Sequence, residues 1–156
     1  MSISVLIADD IATTREDIKR LLYFEEDIDV IGEASDGAEA VAMAEELKPD
    51  VILMDINMPR LDGIEATEQI SVNVPQCAII IISIQGEQEY LRKAMAAGAR
   101  EYLVKPFTAN ELANSIRRVN EAQKRRNAFL RSVATESPTS IPRIKRGKII
   151  TFFCTK

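Results

Sequence analysis

An α/β protein built on a parallel sheet is the fold class this sequence predicts, and three observations carry that prediction. Short strand-like runs at 3–8, 28–34, 50–55, 78–83 and 101–104 alternate with stretches of helical periodicity. Two of the runs, Val51-Ile52-Leu53-Met54 and Ala78-Ile79-Ile80-Ile81-Ile82, are apolar without a break, as strands covered on both faces are. Acidic, hydroxyl or amino side chains stand where several of these runs end. Ligands of open α/β sheets bind at that carboxyl edge.

The elements follow in order. Ile3-Ser4-Val5-Leu6-Ile7-Ala8 reads as a strand ending at Asp9-Asp10. Residues 12–24 read as a helix, with Ile11, Ile18, Leu21 and Leu22 on one face. A second strand covers Ile28–Ala34. Asp36 is placed to cap a helix that runs to about Leu47 and stops before Pro49. Asp50–Asp55 is the third strand, and Pro59 bars its continuation because proline has no ladder donor. Asp62, with Glu65 three residues on, marks a helix start, and that helix runs to about Val72. Ala78–Ser83 is the fourth strand. A helix over 87–97 is closed by Gly98, a common residue just past a helix end. Glu101-Tyr102-Leu103-Val104 is a short fifth strand ending at Lys105-Pro106. Thr108-Ala109-Asn110-Glu111 is a capping box, and its helix uses Leu112, Ile116 and Val119 and extends toward and beyond Lys124. Five strands in strict alternation with helices, joined by right-handed crossovers, leave few topologies. The doubly wound flavodoxin-like order 2-1-3-4-5 fits this length.

Bulk properties exclude several classes. The 156 residues are 46% hydrophobic and 28% charged, ordinary for a globular domain. No apolar run reaches the roughly 18–20 residues that cross a bilayer, and no basic segment precedes an apolar one at the N-terminus. No membrane partner is expected, and the chain is expected to be cytoplasmic. Cys77 and Cys154 match no metal or disulfide spacing and are expected to be buried free thiols. The sequence has no histidine, which removes histidine metal sites, Ser-His or Cys-His catalysis, and a phosphohistidine within this chain. The net charge of −4 is unevenly spread: residues 1–121 carry 11 Lys/Arg against 23 Asp/Glu, and residues 122–156 carry 9 against 1. An acidic domain is followed by a basic extension.

In the 2-1-3-4-5 order, strands one, three, four and five are neighbours. Their ends bring together Asp9 and Asp10, Asp55, Ser83 and Lys105. Carboxylates sharing a crevice repel one another, and a divalent cation resolves the conflict. Mg²⁺ takes a few carboxylate oxygens, some water and a phosphate oxygen. With a lysine and a hydroxyl beside it, such a site suits phosphoryl transfer in which a carboxylate attacks phosphorus.

Asp9-Asp10, Asp55 followed by Met58-Pro59 and Asp62-Gly63, Ser83, and Lys105-Pro106 together resemble the response-regulator receiver domain of two-component signalling, over residues 2–121. The resemblance implies that Asp55 accepts a phosphoryl group from a histidine kinase or phosphotransfer protein. It implies Mg²⁺ held by Asp10, Asp55 and the Asn57 backbone carbonyl, with Asp9 assisting. Ser83 would be the switch hydroxyl, Tyr102 the switch aromatic, and Lys105 the partner of the phosphoryl group, ahead of a cis peptide to Pro106. The chain would be a regulatory phosphoacceptor, catalysing only its own phosphorylation and dephosphorylation. Ile84 departs from the pattern, since the residue after the switch hydroxyl is commonly small in this family. Its bulk bears on the dephosphorylation rate. A haloacid-dehalogenase-type phosphatase would need Asp-x-Asp after the first strand, which Asp9-Asp10-Ile11 does not supply. A Walker B reading of Val51–Asp55 fails because no Walker A precedes it.

Residues 122–147 read as a basic linker or helix extension, with 135–148 rich in Pro, Ser, Thr and basic residues. The clusters Lys124-Arg125-Arg126 and Arg143-Ile144-Lys145-Arg146 lack a DNA-binding helix pair, so nucleic acid is not expected as a partner. A homodimer is left open. Residues 148–156 are β-prone and end in Thr155-Lys156, and read as the start of a truncated second domain. They resemble the opening strand of deviant Walker-A ATPases, as in pilus-assembly ATPases that carry a receiver domain. The alternative is a natural C-terminal strand. On the first reading, the C-terminal output domain is missing from this fragment.

Overall fold

The computed structural model describes residues 2–84 and 88–140. By internal contacts the chain divides into two units, Met1–Gln123 and Lys124–Lys156. The first holds β1 (Ile3–Ala8), α1 (Ala12–Leu22), β2 (Ile28–Ala34), α2 (Gly37–Leu47), β3 (Val51–Asp55), α3 (Gly63–Asn73), β4 (Ala78–Ser83), α4 (Gln88–Ala97) and β5 (Glu101–Val104). The last helix, α5 (Ala109–Ser140), begins in it, and residues 124–140 of that helix belong to the second unit.

The five strands form one sheet in the order β2-β1-β3-β4-β5, every pairing parallel. Side chains alternate across it and fill two cores. Leu6, Ile52, Met54, Ile79 and Ile81 pack with Ala40 and Ala44 of α2, Ala66 and Ile70 of α3, and Ala94 of α4. Val5, Ile7, Val51, Leu53, Ile80 and Ile82 pack with Ile18 and Leu22 of α1 and with Leu112, Ile116 and Val119 of α5. β3 and β4 are therefore buried on both faces, which is why they carry no polar residue before their last position.

The predicted caps are all formed. The Asp36 carboxylate accepts from the Glu39 amide at 2.7 Å, and the Asp62 carboxylate accepts from the Glu65 amide at 2.9 Å. Thr108 and Glu111 exchange bonds reciprocally, at 3.1 Å to the Thr108 hydroxyl and 2.9 Å to the Glu111 carboxylate. Each cap satisfies amide donors that the first helical turn leaves without intrahelical partners.

Some expectations are revised. Ile11 does not join the buried face of α1. It is the extended residue preceding the helix and is 53% exposed. The same helix closes at Leu22, leaving Tyr23 and Phe24 at 78% and 83% exposure. Asp50 precedes β3 rather than opening it, and its carboxylate binds the Ser4 amide and hydroxyl at 3.0 and 3.1 Å. Cys77 is buried and free. α5 continues to Ser140, through the start of the stretch read as a linker. Residues 109–134 contain neither Gly nor Pro, so nothing in them interrupts helix propagation. Cys154 and the strand read at 148–156 lie outside the described residues.

Candidate functional site

Four strand ends converge at the carboxyl edge of the sheet. They border a cleft of about 490 Å³ lined by Asp9 and Asp10 after β1, Asp55 at the end of β3, Ser83 at the end of β4, and Lys105 after β5, together with Asn57. The sequence-derived set is thus assembled in one place, apart from Tyr102. That residue is half-buried on β5, paired with Ile81, and packs against the core shared by α2, α3 and α4.

Asp9 is the most deeply set of the acids, only 2% exposed. Its amide donates to the Ala34 carbonyl at 3.0 Å, which extends the β1–β2 ladder by one residue. One carboxylate oxygen accepts from the Ile11 amide at 2.9 Å, and the other lies 3.6 Å from the Lys105 ammonium. Asp10 is exposed and Asp55 half-buried. The Lys105–Pro106 peptide is cis, as the resemblance implied, and the Lys105 amide donates to the Ser83 carbonyl at 2.8 Å.

The loop after Asp55 is set by close backbone approach. The Gly63 amide donates to the Ile56 carbonyl at 2.8 Å, and a side chain on Gly63 would place its Cβ 1.9 Å from the Asp55 carbonyl oxygen. The other side of the loop is equally tight: a Cβ on Gly37 would fall 1.9 Å from the Leu61 carbonyl oxygen. Within it, Arg60 takes a positive φ of 68°. Met58-Pro59 and Asp62-Gly63 therefore shape the turn that presents Asp55 and Asn57.

Carboxylate oxygens of Asp9, Asp10 and Asp55 all lie within 4.8 Å of one another, close enough to hold one metal ion. The donors are hard oxygens with no sulfur or imidazole among them, which suits a hard divalent cation. The crowding is visible in Asp55, whose carboxyl is pushed up from 3.8 to about 6. Burial is the main cause and repulsion from Asp9 the next. Lys105 and the Ile56 amide pull the other way, and Asp10 adds a smaller repulsion.

A pH-dependent stability follows from that shift. A carboxyl whose pKa is higher folded than unfolded stabilises the fold fully below the unfolded value, and the contribution is lost as pH rises through the folded value. For Asp55 that window runs from 3.8 to about 6. In metal-free buffer, Asp55→Asn is expected to melt a few degrees above the parent at pH 8. The advantage should shrink as pH falls through 6 and vanish near 4. Thermal melts at several pH values in EDTA check this, and an Asp55→Asn protein no more stable at pH 8 would show that no such strain exists.

Sequence reasoning missed four lining residues, Ile11, Thr14, Ile56 and Tyr90. Ile11 has the spacing of the buried face of α1, which hides its place at the cleft. Thr14 lies one helical turn beyond Asp10, a spacing that could have flagged it. Tyr90 comes from α4, and nothing local in its sequence signals that it faces the strand ends. Ile84 also lines the cleft and is 73% exposed.

A parallel five-stranded α/β sheet with a Lys-paired acid triad at its carboxyl edge defines a class of phosphoacceptor-type domains. The chain belongs to the response regulator receiver domain family, whose model matches residues 5–117. Among curated relatives, the response regulator protein VraR of Staphylococcus aureus is 38% identical over 123 residues, covering 79% of this chain and 59% of that protein. The chain thus spans about three-fifths of the length of the relatives it matches. Among solved structures, the response regulator domain of Thermotoga maritima CheB superposes with a TM-score of 0.73 at 38% identity, covering 78% of this chain and 98% of that one. The receiver (REC) domain of AraT, a response regulator from Geobacillus stearothermophilus, does so at 0.72 and 32% identity, covering 81% and 99%. Among the described residues no helix is long and apolar enough to cross a membrane.

Proposed function

We propose that the domain is a signalling switch that accepts a phosphoryl group on Asp55 from a histidine kinase or phosphotransfer protein, and passes the change to a C-terminal output domain. The observation that carries this is the convergence of Asp9, Asp10, Asp55, Ser83 and Lys105 around one cleft. An Asp55 oxygen attacks phosphorus in line. The new P–O bond forms as the donor's bond to phosphorus breaks, and the donor leaves with its electron pair. Asp10, Asp55 and Asn57 would hold Mg²⁺ with help from Asp9. The bound ion would neutralise charge on the carboxylates and on the incoming phosphoryl oxygens. A chain of the CheX–CheY–BeF₃–Mg²⁺ complex from Borrelia burgdorferi is 28% identical to this one at a TM-score of 0.67.

Lys105 supplies a fixed positive charge to the phosphoryl group, and the Ser83 hydroxyl a hydrogen bond. Ser83 ends β4, and its carbonyl is bonded to the β5 side of the sheet through the Lys105 amide. Movement of Ser83 toward the phosphoryl group would therefore be felt on β5, where Tyr102 is seated. A cytoplasmic setting and the basic extension as a connector to the output domain complete the reading.

The test is incubation of the chain with acetyl phosphate. Incorporation is expected with MgCl₂ and not with EDTA. Equal incorporation in both would remove the metal from the account, and none in either would remove the function.

A further inference from the structure

We propose that Arg15, held in place by Glu33, is a positioning residue for the acid pair Asp9–Asp10. This rests on the reading of the cleft as the divalent-metal site of a phosphoacceptor. Arg15 lies on α1, outside the cleft lining, and its side chain is only 16% exposed. Its Nε donates to the Glu33 carboxylate on β2 at 3.0 Å, and one terminal nitrogen donates to the Asp9 backbone carbonyl. Glu33 is gripped from its other oxygen by the Lys19 ammonium at 2.7 Å.

The bonded atoms set the consequence. The Asp9 carbonyl and the Asp10 amide belong to one rigid peptide plane. The Asp9 amide is fixed to Ala34, and its carboxylate to the Ile11 amide and Lys105. Arg15 adds the remaining anchor, on the plane from which Asp10 departs into the cleft. Without it, that plane can rotate and the Asp10 carboxylate loses its fixed approach to Asp9 and Asp55. A planar guanidinium can serve two acceptors at once in a fixed geometry, which a single ammonium cannot.

Simple charge and positioning make opposite forecasts. Removing the cation bonded to the Asp9 carbonyl leaves the neighbourhood of the cleft more negative, so electrostatics alone would tighten Mg²⁺ binding. Removing an anchor that aims a ligand weakens it, and outer partners of metal ligands typically matter by 10–100-fold in affinity.

The experiment titrates MgCl₂ alone into the full chain by calorimetry, alongside urea midpoints and the Mg²⁺ dependence of acetyl phosphate labelling. Arg15→Gln is expected to weaken Mg²⁺ binding about tenfold, with labelling largely restored at saturating Mg²⁺. Arg15→Lys should not rescue the affinity. Lys19→Gln, which removes the other cation on Glu33 but touches nothing on Asp9, should keep the parental affinity. If Arg15→Gln folds poorly, Glu33→Gln is the second variant, with a smaller loss in the same direction. Parental or tighter binding in Arg15→Gln, or an equal loss in Lys19→Gln, overturns the proposal. A parent that binds Mg²⁺ but takes no phosphoryl group refutes the proposed function while the metal titrations still judge Arg15. A parent that binds no Mg²⁺ overturns both.

Discussion

Gly63→Val is expected to cost about 3 kcal/mol of stability and to abolish Mg²⁺ binding at the cleft. The atom a side chain would meet is backbone, not a movable side-chain end: the Asp55 carbonyl oxygen at 1.9 Å, with the Ile56 Cα at 2.9 Å. Relief requires either the end of β3 or the start of α3 to shift. β3 is paired on both sides, by β1 and β4, and its residues Val51 to Met54 are fully buried. The yielding element is therefore the start of α3, which forfeits the Gly63–Ile56 hydrogen bond and the Asp62 cap with it. Urea denaturation and Mg²⁺ calorimetry check the two effects together. A variant with the parent's urea midpoint would mean that the close approach at Gly63 is not a constraint.

Lys105→Ala is expected to slow phosphoryl transfer to Asp55 by on the order of a hundredfold while the chain stays folded. The Lys105 side chain is 23% exposed and belongs to the cleft edge rather than either core, so its removal leaves packing intact. Its loss is electrostatic. Lys105 offsets the repulsion that Asp9 exerts on Asp55, so without it the Asp55 carboxyl shifts further up and becomes a poorer nucleophile at neutral pH. Ser83→Ala, at a buried strand end, should also fold and should fail in the response rather than in labelling. Quench-flow labelling with acetyl phosphate, with circular dichroism as the folding control, decides this. A parental rate in Lys105→Ala would remove lysine from the chemistry.

The sheet was legible in the sequence because the runs through Val51–Met54 and Ala78–Ile82 admit no other burial. The site was legible because its polar residues stand at strand ends, and strand order alone brings those ends together. Helix boundaries were legible where caps are chemical, at Asp36, Asp62 and Thr108. What periodicity could not reveal is where a helix residue reaches across a turn. Ile11 has the spacing of a core residue and instead rims the cleft, because it lies in extended backbone just before α1. Tyr90 lines the cleft from α4, and Arg15 reaches from α1 to Glu33, 18 positions away, and to the Asp9 carbonyl. The tightness at Gly37 and Gly63 is likewise invisible without the backbone that faces them.

The central claim is that Asp55 is the phosphoacceptor. The direct measurement is to phosphorylate the chain with acetyl phosphate and MgCl₂, reduce the acyl phosphate with borohydride, and map peptides by mass spectrometry. Borohydride converts a phosphorylated aspartate to homoserine and leaves free carboxylates alone. Homoserine is predicted at position 55 and at no other, and none should form in Asp55→Asn. Homoserine at Asp9 or Asp10, or labelling that persists in Asp55→Asn, would contradict the account.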